Sequence, residues 1–262
     1  MNNAHQILMI KVKPMKKTWM FGLFGSLALS LSMPTLAQTP LPTKTPPSYS
    51  EALELLKTGS LSLDKNSLLS ALQVFRDCPS PHKDSFSCPY RAAQACLYLT
   101  RALDFEKHRD QAEKILTEGI QSAQAAVSLA PQSADTHALL ARLYQVKLMY
   151  GDMFTGMDIG PKAGAENKKA LSIDPQNPQV QLSLGVQYVM APPIGGGDVK
   201  KGITTLEKAL ELDPKMDEAY YWLAKAYRKQ NDRPHFKEAL QSAMKFNPRN
   251  PLYPTELESW KP

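Results

Sequence analysis

The chain has 262 residues, 31 of them Lys or Arg against 25 Asp or Glu, and a mean hydropathy of −0.34. Lys11, Lys13, Lys16 and Lys17 fall in the first 37 residues, which hold no acid; the remainder carries 27 basic and 25 acidic residues, too even a balance for a nucleic-acid surface. Twenty-one prolines against 13 glycines suit short helices punctuated by Pro rather than a sheet with glycine turns.

In chain order, Lys16 and Lys17 precede an apolar run from Trp19 to Leu31 and then Met33-Pro34-Thr35-Leu36-Ala37. That order of charge, apolar run and small residues predicts a secretory signal peptide over 1–37, cleaved after Ala37. The apolar run of 13 residues is short of the ~20 that span a bilayer, so no stable membrane insertion is expected after cleavage. No Cys follows the cleavage site, which disfavours a lipoprotein. The expected location is periplasmic or secreted. Residues 38–48 are rich in Pro, Thr and Ser, a disordered linker, and 49–262 is the predicted helical domain.

Tyr49–Lys57 and Lys65–Arg76 read as helices, the second capped by Asp64 or Ser62. Cys78 and Cys88 then bound a Pro-rich connection, and in an oxidising compartment that short pair is expected to form a disulfide. A metal site from Cys78, His82 and Cys88 is the alternative, though it needs a fourth ligand and has the wrong spacing for zinc. Cys96 sits on the apolar face of a helix over Tyr90–Phe105, whose partner runs from Asp110 to Leu129.

From Pro131 onward a unit repeats. Leu140, Ala141 and Tyr144 are followed by Ala163, Ala170 and Pro175. Leu184, Gly185 and Tyr188 are followed by Gly202, Leu206, Ala209 and Pro214. Tyr220, Leu223, Ala224 and Tyr227 are followed by Phe236, Leu240, Ala243 and Pro248. The Pro-to-Pro spacings are 44, 39 and 34 residues, and the excess falls between the two helices of a hairpin, near Tyr150–Pro161 and Pro192–Gly197. The last unit resembles the tetratricopeptide repeat (TPR), with Phe236 where that family usually has Ala. The resemblance implies an all-α TPR-like solenoid of about four to five hairpins, clearest over 134–248, with a capping tail over 249–262. Its expected buried contacts are Tyr253 and Trp260.

The same resemblance implies a concave face lined by the first helix of each hairpin. Carried onto this chain, that face is Ala138, Arg142 and Gln145, then Gln179, Leu182, Val186 and Met190, then Glu218, Tyr221, Lys225 and Arg228. Within 134–248, the loop from Pro192 to Asp198 followed by Lys208-Ala-Leu-Glu-Leu-Asp-Pro214 is similar to the periplasmic TPR component associated with TRAP-type transporters, and the insertion around Gly151–Lys162 with Pro192-Pro193-Ile194 is similar to the regulator-of-microtubule-dynamics family. The expected function is an exported, non-catalytic scaffold that binds a protein or peptide partner through the concave face and the insertion loops. The transporter resemblance adds the alternative of a small organic ligand.

Nothing in the sequence assembles a catalytic or cofactor constellation, and neither cofactor nor metal is expected. Gly195-Gly196-Gly197-Asp198 lacks the Lys-Ser/Thr of a phosphate loop and reads as a turn ending in a helix cap. Met149, Met153 and Met157, interrupted by Gly151 and Gly156, read as a flexible apolar lid over the groove.

Overall fold

The computed structural model describes residues 46–78 and 85–260. The signal peptide, the linker up to residue 45 and His82 lie outside the described residues. Eleven α-helices are present there: α1 (Tyr49–Ser62), α2 (Lys65–Asp77), α3 (Ser87–Phe105), α4 (Arg109–Leu129), α5 (Ala134–Tyr150), α6 (Met153–Ile173), α7 (Pro178–Met190), α8 (Val199–Leu212), α9 (Asp217–Lys229), α10 (Arg233–Phe246) and α11 (Leu252–Ser259). No strand occurs among the described residues. Helices α1 to α10 pair in sequence as five antiparallel hairpins stacked side by side, an all-α TPR-like solenoid.

The four prolines that mark the repeat do the same job at each site. Each stands second in a four-residue turn closed by a backbone hydrogen bond: Ser133 donates to Ala130 at 3.0 Å, Asn177 to Asp174 at 3.4 Å, Met216 to Asp213 at 3.2 Å and Asn250 to Asn247 at 3.5 Å. Proline presets the φ that this turn position needs. Six residues after each of the first three, a side chain reaches back to the proline carbonyl: His137 to Pro131, Gln181 to Pro175 and Tyr220 to Pro214. The equivalent position after Pro248 is Pro254, which has no polar side chain to offer. The return bond therefore stops where the hairpins stop.

Within the hairpins, aspartates start the second helix. Asp64, Asp152, Asp198 and Asp232 cap α2, α6, α8 and α10, each accepting from a backbone N–H in the first turn, which satisfies donors that a helix start leaves open. Small residues set the crossing of α7 and α8: a Cβ on Gly185 would lie 2.7 Å from Leu206 Cγ, and one on Gly202 would lie 2.7 Å from Val189 Cγ2. At the last hairpin the large Phe236 is fully buried instead, with Trp260 edge-on to its ring at 4.7 Å.

Two expectations change. The stretch from Tyr150 to Pro161 is not a loop: after Asp152 caps it, α6 runs from Met153 through Gly156, Gly160 and Pro161. Glycine in a helix costs only about 1 kcal/mol, which the cap and the packed remainder of α6 offset. Pro161 removes one bond of the ladder without ending it. The lid of Met149, Met153 and Met157 is therefore carried mainly by this helix extension, and it covers nothing: all three side chains are exposed. In contrast, Cys78 and Cys88 form the expected disulfide, with 5.6 Å between Cα atoms. Both sulfurs are thereby removed as metal ligands. Cys96 is a buried free thiol.

Candidate partner-binding surface

The first helix of each hairpin does face inward, but the inward side chains meet one another. Glu218 on α9 accepts from Arg101 on α3 at 2.5 Å and from Arg142 on α5. These partners lie 117 and 76 residues away in sequence. Burial alone would raise the Glu218 carboxyl; the Arg101 guanidinium first, and Arg142 second, outweigh it and hold the group at about 2. An Arg–Glu–Arg triad thus closes the inner face across three hairpins.

Of the other residues expected on the concave face, Ala138 is 1% exposed in the core between α5, α6 and α7. Leu182 and Val186 are 1% and 3% exposed and belong to the core shared by α7, α8, α9 and α10, so they pack neighbouring helices and line no open groove. Met190 is half-buried against the same core. Gln145 is buried, donating to the Ser183 carbonyl at 2.9 Å. Gln179 is exposed and borders, with Arg142, Tyr90, Tyr98 and Asp135, a pocket of about 100 Å³. Tyr221, Lys225 and Arg228 are brought together on α9, but under α11: Tyr221 lies against Tyr253 with ring centroids 5.6 Å apart. Lys225 and Arg228 both donate to Glu256, at 3.2 and 2.7 Å. The apolar centre is core, and the cationic end is occupied by the chain's own tail.

A different surface stands open. Large apolar side chains stand on the turns inside the hairpins: Phe105 ends α3, Met149 lies in the last turn of α5, Met153, Phe154 and Met157 begin α6, and Ile194 tips the 3-10 turn between α7 and α8. Phe154 is 74% exposed and Ile194 99%. The outer face of the first turns of α6 stands clear, since a Cβ added at Gly156 or Gly160 would meet nothing within 4 Å, while Ile159 anchors the inner face to the core. Gly196, at φ +82°, supplies the left-handed residue that holds the Ile194 turn out. The excess repeat length locates this edge in sequence. The closure of the inner face has no local signal, because it depends on pairs 76 and 117 residues apart.

A TPR-repeat family model matches residues 196–231, and a tetratricopeptide-repeat model matches residues 217–250. No curated protein sequence matches the chain. Among solved structures, TTC0263, a thermophilic TPR protein of Thermus thermophilus, superposes with a TM-score of 0.56 at 17% identity, over 79% of this chain and 97% of that one. The pilF structure of Pseudomonas aeruginosa gives 0.40 at 20% identity, over 65% and 68%. YrrB, described as a TPR protein with an unusual peptide-binding site, gives 0.40 at 14%, over 82% and 99%. The shared fold rests on the first of these; the matched repeats cover the last hairpin and the turn and helix before it. With each of its last four hairpins closed by the same proline turn, the chain carries tetratricopeptide repeats over residues 196–250 and has the all-α TPR-like solenoid fold.

Proposed function

We propose that the chain is an exported, non-catalytic adaptor that holds a protein partner on the edge formed by the turns inside its hairpins. The observation that carries this is the row of exposed apolar side chains on successive turns, from Phe105 through Phe154 to Ile194. Large apolar side chains left exposed on equivalent turns of successive hairpins mark an interaction site, and Met-rich surfaces adapt to the partner they meet. The signal-like leader and the Cys78–Cys88 pair support export to an oxidising compartment such as a periplasm. The small-ligand alternative has less behind it. The pocket beside Arg142 holds about 100 Å³, against the ~300 Å³ or more of ordinary ligand sites, and Arg142 is already engaged by Glu218.

A photo-cross-linking amino acid placed at position 194 tests the edge in cells that export the chain. Defined adducts are expected, and Phe154→Asp should abolish them without altering the helical circular-dichroism signal. Adducts that persist in the Phe154→Asp chain, or no adducts at all, reject this edge as the partner site.

A further inference from the structure

The tail helix α11 is built differently from the ten before it. It belongs to no hairpin, buries one side chain, Tyr253, and follows the one proline turn that lacks a return bond. What holds it is a row at i, i+3 and i+7 laid on α9 and α10. The Tyr253 hydroxyl donates to Asp217 at 2.6 Å while its ring meets Tyr221. Glu256 takes Lys225 and Arg228. Trp260 covers Phe236 and lies 5.7 Å from the Arg228 guanidinium, and its carbonyl accepts from Arg233 at 3.2 Å. At the other end, Leu252 packs against both the last core cluster and the cluster of the first two hairpins.

Taken together, these are the contacts of a docked peptide: an aromatic anchor at each end, and between them one carboxylate met by two cations. We infer that Tyr221, Lys225 and Arg228 form a second partner site. Its ligand is a short helical peptide with the pattern aromatic, two residues, acid, three residues, aromatic, and α11 fills the site until such a peptide displaces it. The two cations select an acidic ligand, and the flanking rings fix its register. This deepens the adaptor reading by giving the chain a second surface, guarded by its own helix α11.

The test uses the full chain and a fluorescein-labelled peptide with the sequence of Asn250 to Pro262. In the wild-type chain α11 competes, so apparent affinity falls with the fraction of sites left open. Glu256→Gln with Trp260→Ala in the chain should raise affinity for the peptide about tenfold or more. Adding Lys225→Glu to that chain should abolish the gain, as should Glu256→Lys in the peptide. Equal binding by the wild-type and loosened chains overturns the inference. Hydrogen exchange on the wild-type chain gives a readout free of any folding defect. The amides of α11 should exchange ahead of those of α10, and loss of both in one step overturns it. Neither readout involves Phe154 or Ile194, so failure here and failure of the edge are told apart.

Discussion

Glu218 is the residue on which the inner face turns. Its carboxyl is held at about 2, below its ordinary value of 4.5, by Arg101 and Arg142 against the opposing effect of burial. A carboxyl depressed in the folded chain contributes stability above its unfolded pKa, and that contribution is lost as pH falls through the folded value. Urea midpoints of the wild type should therefore decline between pH 4.5 and about 2, by a contribution on the order of 3 kcal/mol. Glu218→Gln leaves two buried guanidiniums facing a neutral amide, and should cost about 3–5 kcal/mol at pH 7. It should also flatten the acid limb. A variant as stable as the wild type, with the same acid limb, would show that the triad is not what closes the face.

At the scale of elements, the disulfide joins the end of α2 to the start of α3 across ten residues. Loop closure of that length predicts that reduction, or Cys78→Ser with Cys88→Ser, lowers unfolding free energy by about 2–3 kcal/mol. Denaturation with and without dithiothreitol checks it; equal midpoints would mean that the neighbouring helices fix the connection without help. Cys96 should not exchange into the bond, since it is fully buried and burial pushes its thiol up.

Elements are legible where their signals are local. Proline in a turn, aspartate at a cap and three- or four-residue apolar steps mark the starts of α2, α5, α7, α8 and α9. The extension of α6 is not legible: Gly156, Gly160 and Pro161 each disfavour helix, and only the cap at Asp152 together with the packed half of α6 overrides them. The inward direction of the first helices can be read from the repeat, but what occupies their inner side chains cannot. Nothing near Lys225 or Arg228 in sequence announces Glu256, and nothing near Arg101 announces Glu218.

For the whole molecule, the export reading makes a direct prediction. Mass spectrometry of chain recovered from the periplasm or medium should find Gln38 as the first residue. Recovery in the cytoplasm with the leader intact would remove both the compartment and the oxidising chemistry argued from it.

The reach of Glu218 to α3 bears on how such a chain comes apart. Repeat arrays usually behave as quasi-one-dimensional stacks whose ends fray while the middle persists, because each unit feels only its neighbours. Here the fifth hairpin is tied to the second and third by one carboxylate, and Leu252 rests on the first two hairpins as well as the last. Such ties convert a zipper into a ring. Loss of the fifth hairpin loosens the second and third with it, so the hairpins melt together where an ordinary array would peel, while α11, outside the triad, still opens on its own.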